Sequence, residues 1–401
     1  MIEDISKGFA QVYGGDNPEF VSRAGGRVEL IGGHTDYNEG FVLAAAIDKS
    51  CFVAASKRAD NRVCIYSQWA QEKHEFEVCP GLQPDSRCLW ANYGRGIIAL
   101  LLQEKLPVTG ANLYVSSSVP VGGGLSSSAA LEVSLAKAIL HLSEQQRQIE
   151  PVRLARICQK AENIYANSPC GIMDQVVSLM SKEGSVLMLD CRDLGVAYLP
   201  FDSRNFSLMI FNSMIRHEIG SGSKSQPGGA AVSGYGLCRQ HCRQAAEVLN
   251  REYPLVKALR DADAVMLNSV KNHLEPTAYS RARHVIDENG RVAAAAKALR
   301  ESNMAEFGRL MSQSHCSARD LFGISCPEVD FLIEQISGCD AAYGARISGG
   351  GFGGSVVALV AAESAQQVGR QVHQFYENRF GIDSEIYTVK PAGGAEIIEL
   401  G

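Results

Sequence analysis

A chain of 401 residues, 46% apolar and 20% charged, has room for two lobes around a cleft and the balance of an ordinary soluble protein. Its formal net charge of −6, without any long Lys/Arg block, argues against a nucleic-acid partner. No apolar run reaches bilayer length, the opening MIEDISKGFAQVYG has no apolar signal region, and the twelve cysteines lack disulfide-framework spacing. The expected setting is therefore cytoplasmic, with no membrane association and no obligate protein partner evident.

In chain order, short β-rich runs come first. Val28–Ile31, Cys51–Ala55, Arg62–Tyr66 and Glu75–Val78 carry alternating or β-branched residues and are separated by turn residues. Ala111–Val115 is a further strand, ending at Pro120. A helix follows a glycine turn, with Leu131, Leu135, Ile139 and Leu142 on one face. Pro151 opens a second helix reaching about Tyr165. Strands return at Ser185–Asp190, Val196–Phe201 and Phe206–Phe211. Beyond these, Gly220–Gly234 is rich in Gly, Ser and Ala and is expected to be a mobile loop. Helices at Leu237–Leu249, Val292–Glu301 and Pro327–Ser337 precede a strand–glycine turn–strand unit at Ala345–Val360. The fold class is α+β in two lobes, residues 1–200 and 201–401, with the active site in the cleft between them.

Four segments carry chemistry. In Pro120–Ala130, the turn Gly122, Gly123, Gly124 lets a backbone approach an anion closely. Leu125, Ser126, Ser127 and Ser128 then lead into a helix whose N-terminus favours phosphate. The bland alternative is a glycine turn with a capping serine. The chain has no lysine-bearing Walker loop, so that mechanism is excluded. Ser348–Gly354 holds five glycines in seven residues, yet a strand follows it, which fails the context of a dinucleotide fingerprint.

In Gly26–Asn38, strand alternation puts Arg27, Glu29 and Ile31 on one face. His34 and Asp36 follow on a strand-end loop, a place suited to ligand contact or to an ordinary Asx turn. In Pro169–Gln175, Asp174 sits at a helix start, where an acid favours the dipole whether or not it has another role. Taken alone, Glu162 reads as a surface residue. Cys238 and Cys242, with His241 between them, read as a plain helix face rather than metal ligands, because the rest of a four-ligand set is missing. Trp90 and Tyr93 either flank a nucleotide base or pack in the core.

Together, in this order and spacing, the four segments resemble the GHMP-kinase superfamily, and the galactokinases in particular. The resemblance implies ATP as phosphoryl donor, Mg²⁺ as metal and a small sugar, galactose by default, phosphorylated at its anomeric C1 hydroxyl. It further implies Asp174 as base or orienter and Arg27 between that hydroxyl and the transferred phosphoryl. Ser128 and Glu162 would hold Mg²⁺. Gly33, His34, Asp36, Gly171 and Tyr235 would contact the sugar, and Gly122–Ser128 with Trp90 would bind ATP.

Three departures from the family pattern stand out. Gly33 replaces the usual acid beside the sugar's C6 hydroxyl, which implies open space there. An acceptor altered at C6, such as galacturonate or L-arabinose, then rivals galactose. Glu29 replaces the usual Asn and either pairs with Arg27, competing with its catalytic role, or turns aside. The Gly220–Gly234 stretch is longer than usual, and Gly234 replaces the usual acid before Tyr235. A non-catalytic sugar and ATP sensor is the remaining alternative. Retention of Asp174, Arg27, Ser128 and Glu162 argues against it.

Overall fold

The computed structural model describes residues 1–145, 149–168, 170–216 and 234–400. Apart from Gly234, the expected Gly220–Gly234 loop lies outside the described residues, as does Pro169 of the fourth segment. The chain opens with helix α1 (Ile2–Val12) and strands β1 (Phe20–Ile31), β2 (Phe41–Lys57), β3 (Arg62–Ser67) and β4 (Glu72–Glu77). Helix α2 (Asn92–Gln103) and strand β5 (Ala111–Ser117) follow, then helices α3 (Ser127–Leu142), α4 (Pro151–Tyr165) and α5 (Met173–Met180). Strands β6 (Ser185–Asp190), β7 (Val196–Pro200) and β8 (Phe206–Arg216) lead to helices α6 (Gly234–Glu252), α7 (Ala264–Ser269), α8 (Pro276–Arg300), α9 (Met304–Ser317) and α10 (Pro327–Ser337). Strands β9 (Ala342–Ser348) and β10 (Gly353–Ala361), helix α11 (Ala365–Phe380) and strands β11 (Glu385–Val389) and β12 (Glu396–Glu399) complete the chain.

Two sheets organise these elements. The first is eight-stranded, with β12-β1-β2-β5-β3-β4 as its main path and β6 and β7 added at β2. The second is four-stranded, β11-β8-β10-β9. Because β12 pairs with β1 (Val21 opposite Ile398), the tail of the chain returns to the first sheet. Helix α3 lies on β1 and β2, and its buried residues Ala130, Val133, Ala136 and Ile139 join the main core with Val28, Leu30 and Leu43. A separate core under the second sheet joins Phe211, Ile347 and Val356 to Leu249, Leu332 and Tyr376.

The predicted strands fall within observed ones, except that Glu75–Val78 and Val196–Phe201 each run one residue past β4 and β7, and Pro327–Ser337 matches α10. Helices α1, α2, α7, α9 and α11 lie outside the sequence expectation, and α8 is longer than expected. Helix α8 begins at Pro276, sixteen residues before the expected Val292. Its early turns carry buried His284 and Glu288, polar residues that break the apolar rhythm. Helix α2 carries Gly94 and Gly96, which lower helix propensity, yet bulk at those points would meet Ile65 and Tyr165. Tertiary packing overrides propensity there.

Candidate active site

Strand β1 supplies the floor of the site. Its pairing with β2 is regular from Arg27 (opposite Ala46) to Glu29 (opposite Ala44), so both side chains leave the same face, beside small alanines. Irregularities in the pairing flank this pair, between Gly25 and Arg27 and between Glu29 and Ile31.

Arg27 and Asp174 form a two-pronged ion pair. Arg27 Nε donates to Asp174 Oδ1 at 2.8 Å and Nη2 donates to Oδ2 at 2.8 Å. The third guanidinium nitrogen, Nη1, donates to the Gly124 carbonyl at 2.6 Å. Burial alone would lower the Arg27 pKa, but Asp174 beside it holds it above its ordinary value. Asp174 lies in the first turn of α5 and accepts a further bond from the Ser126 hydroxyl. Arg27 thus ties together the Gly26–Asn38 segment, the carboxylate and the glycine turn with one planar group, a geometry lysine cannot supply.

The two glycine-rich segments meet at this point. Ser355 Oγ donates to the Gly123 carbonyl, and the backbone N–H of Arg27 donates to the Leu125 carbonyl at 3.0 Å. A side chain on Gly124 would press on the Ser348 carbonyl at 3.1 Å. The Ser348–Gly354 turn therefore braces the first glycine turn. Gly122 and Gly123 lie in that turn, and helix α3 begins directly after it at Ser127. Ser126 was expected on the phosphate side, but its hydroxyl is directed to Asp174 and does not cap the helix. Leu125 is buried in the core and presents only its backbone.

Beside the Arg27–Asp174 pair lies a cavity of about 140 Å³, small beside the 300–1,000 Å³ typical of drug-sized ligands. His34, Asp36, Gly171 and Tyr235, all expected around the sugar, line it together with Glu29. His34 takes a left-handed backbone (φ 62°), its Nδ1 bonds the Tyr37 hydroxyl at 2.8 Å, and its ring lies 4.4 Å from that of Phe322. Burial pushes its pKa down to about 3, helped by His284 and Arg346, so the ring is neutral. Asp36 is pushed the other way, to about 7, by burial and by the charges of Asp174 and Glu29.

Glu29 does not pair with Arg27. Its Oε1 accepts from Nη1 of Arg346 on β9 at 2.7 Å, and Arg346 is fully buried. The open space expected at Gly33 is likewise not there, because a Cβ at that position would lie 2.6 Å from Arg346 Nη2. Gly33 instead contributes backbone. Its N–H and that of Gly32 donate to Glu288 Oε1 at 3.3 and 2.9 Å, and its carbonyl meets His284 Nε2 at 3.1 Å. Glu288 is completely buried, and neighbouring His284, Arg291 and Arg346 bring its pKa down to about 2 against the opposing effect of burial. No short-range pattern in the sequence marks Glu288, His284 or Arg346.

On the far side of Asp174, the Ser128 hydroxyl reaches the Glu162 carboxylate. Burial raises the Glu162 pKa, and its bonds from Cys170 and Ser128 oppose that rise. Gln175 Nε2 donates to Glu162 Oε2 at 2.9 Å and to Glu132 Oε2 at 3.0 Å. Burial and the adjacent Glu162 push the Glu132 pKa well above the usual carboxylate range. Among the described residues no group of three His, Cys, Asp or Glu forms a complete metal cage. Cys238 and Cys242 are buried one turn apart on helix α6.

A second cleft of about 400 Å³ opens along Ser117–Gly122 and is walled by Asn212, Tyr387 and Trp69. Trp90, expected at the nucleotide, does not line this cleft. Its Nε1 donates to Glu72 Oε2 at 2.9 Å and its ring packs against the main core. Trp69 is 72% exposed beside the cleft, and sequence reasoning passed over it because a lone aromatic at a strand end carries no pattern.

The arrangement defines a GHMP kinase. The family models for the GHMP kinase N-terminal and C-terminal domains match residues 92–182 and 295–378. The model for the galactokinase galactose-binding signature matches residues 7–57. The chain is 36% identical to the galactokinase of Homo sapiens over its whole length and 97% of the human protein. It is also 36% identical to that of Roseiflexus sp. (strain RS-1), across 98% of this chain and 96% of that one. The crystal structure of Lactococcus lactis galactokinase complexed with galactose superposes with a TM-score of 0.89 at 28% identity, over 98% of this chain and 99% of that one. The Methanococcus jannaschii mevalonate kinase shares the fold alone, with a TM-score of 0.63 at 15% identity, over 93% of this chain and 98% of that one. The chain belongs to the galactokinase family.

Proposed function

We propose that this chain transfers the γ-phosphoryl group of ATP to the anomeric C1 hydroxyl of galactose, giving galactose 1-phosphate and ADP. The observation that carries the reading is the two-pronged Arg27–Asp174 pair, set between the sugar-sized cavity and the glycine turn. Phosphoryl transfer asks a protein for positioning and charge neutralisation more than for covalent chemistry. Asp174 orients the C1 hydroxyl and takes its proton as the new O–P bond forms and the bond to the departing ADP breaks. Arg27 keeps Asp174 in place and faces the charge that develops between sugar and phosphate.

Glycines 122–124 and the start of α3 cradle the phosphates, with Ser127 and Ser128 as hydroxyl donors. The Ser128 hydroxyl and the Glu162 carboxylate are hard oxygen donors at one spot and would hold Mg²⁺ there. Mg²⁺ bound there would neutralise charge on the β- and γ-phosphates. The Ser117–Gly122 cleft, with Trp69, takes the nucleotide's base. All twelve cysteines are free thiols, and among the described residues no helix is long and apolar enough to cross a membrane, which supports a cytoplasmic setting.

The test is ADP release over a panel of aldoses. Steady turnover is expected with galactose, falling about 10²- to 10⁴-fold in Asp174→Asn, the range for removing a general base. A chain that binds sugar and ATP but turns over none of the panel is a sensor, and that outcome defeats the proposal.

A further inference from the structure

Glu29 stands in the cavity wall in an unusual electrostatic position. Arg27 and Glu29 are two residues apart on a regular stretch of one strand, so about 7 Å separates them along the cavity floor. Arg27 holds Asp174, and with Asp174 at C1 the Glu29 carboxylate meets the opposite end of a bound sugar ring. Behind it, Arg346 is buried completely and reaches Glu29 Oε1 at 2.7 Å, while its Nε and Nη2 have no hydrogen-bond partner among the described residues. The sugar therefore faces the acid and not the guanidinium. Among the described residues, three carboxylates, Glu29, Asp36 and Asp174, line the cavity, and Arg27, already tied to Asp174, is the one cation lining it.

We propose that Glu29 is a specificity-determining residue, accepting a hydroxyl at the end of the sugar away from C1 and excluding acceptors that carry a carboxylate there. Arg346 is its positioning partner. It fixes the Glu29 rotamer and offsets the cost of burying its carboxylate, while the carboxylate itself faces the cavity. Gly33 belongs to the same device, since a side chain there would displace the Arg346 guanidinium. The selection is thus for a neutral hexose over a uronic acid. This inference rests on the sugar-kinase reading above.

Kinetics of ADP release with galactose and with galacturonate test it, in the wild type, in Glu29→Gln and in the double variant Glu29→Gln/Arg346→Gln. Each protein is checked for folding by circular dichroism. The wild type is expected to favour galactose in kcat/KM by at least about 100-fold, as like-charge exclusion requires. Glu29→Gln is expected to raise the galactose KM about 10- to 100-fold with a smaller change in kcat, as loss of a charged acceptor does. It should also raise kcat/KM for galacturonate, because the Arg346 charge is no longer masked. The double variant, which leaves no unpaired charge, should lose that gain.

A wild type that uses both sugars equally overturns the inference without recourse to any variant. So does a folded Glu29→Gln with the wild-type sugar ratio. If Glu29→Gln does not fold, the wild-type ratio and the neutral double variant decide. Absence of turnover with every aldose defeats the kinase reading itself, whereas turnover on galactose with unchanged ratios defeats Glu29 alone.

Discussion

Gly171 lies so close to Asp36 that a Cβ built on it would stand 1.5 Å from the Asp36 Oδ2. The loop before α5 can thus pass the sugar segment only without a side chain, and that contact sets where Asp36 points into the cavity. Gly171→Ala is expected to push Asp36 aside and raise the sugar KM at least about tenfold, the loss of one well-placed hydrogen bond to a charged group. The nucleotide KM should hold, since the glycine turn and the Trp69 cleft are not touched. Steady-state kinetics with each substrate varied in turn checks this, and an unchanged sugar KM would remove Asp36 from the sugar's contacts.

The raised pKa of Asp36 has a consequence for stability. Unfolded, its carboxyl titrates near 3.8, and in the folded chain burial first, then Asp174 and Glu29, move it to about 7. Between these values the folded state holds a proton that the unfolded state has released. Stability from this residue is therefore fully present below about pH 4 and is lost as pH rises through 7. Asp36→Asn removes the effect, so the melting temperature of the variant minus that of the wild type should grow from pH 4 to pH 7 and level off above. His34, lowered to about 3, acts with the opposite sign, losing stability as pH falls below 6.5. It is present in both proteins and cancels in the difference. A flat difference would mean that Asp36 is ionised throughout.

On sequence alone, an acid at position 33 restores a sugar contact, and Gly33→Glu promises a better galactose enzyme. The structure reverses that expectation. A Cβ at position 33 falls 2.6 Å from Arg346 Nη2 and 3.2 Å from Glu29 Oε1, in a wall where Arg346 cannot swing into solvent. The variant both overpacks the site and places two acids on one guanidinium. A loss of about 1–3 kcal/mol in stability is expected from the packing alone, with weaker galactose turnover. Thermal unfolding and kcat/KM on galactose measure both, and a gain in turnover would contradict the packing at Arg346.

Much of the site was legible because its signals are local. The glycine turn before an apolar helix, the strand alternation that puts Arg27 and Glu29 on one face, and Asp174 at a helix start are each contained within a dozen residues, where backbone geometry alone gives a pattern its meaning. The family resemblance then raised Asp174 and Glu162 from ordinary residues to functional ones. The structure sets Asp174 against Arg27, and Glu162 against Ser128 and Gln175. Trp69 and Trp90 show the limit of this reasoning, since an isolated aromatic looks the same in a core as beside a cleft.

What the sequence by itself determined is the two-lobed α+β class, the absence of a Walker loop, and most of the residues that line the cavity beside the Arg27–Asp174 pair. Tertiary structure alone decided how those residues are partnered. Glu29 turns to Arg346, 317 positions away, and so leaves Arg27 to Asp174. Glu288 holds the Gly32–Gly33 turn from 256 and 255 positions away. Ser126 gives its hydroxyl to Asp174 rather than to its own helix. The physical reason is common to all three. A buried charge must find a partner, but which partner lies within hydrogen-bond reach is set by how distant elements pack against β1, and no local pattern encodes that.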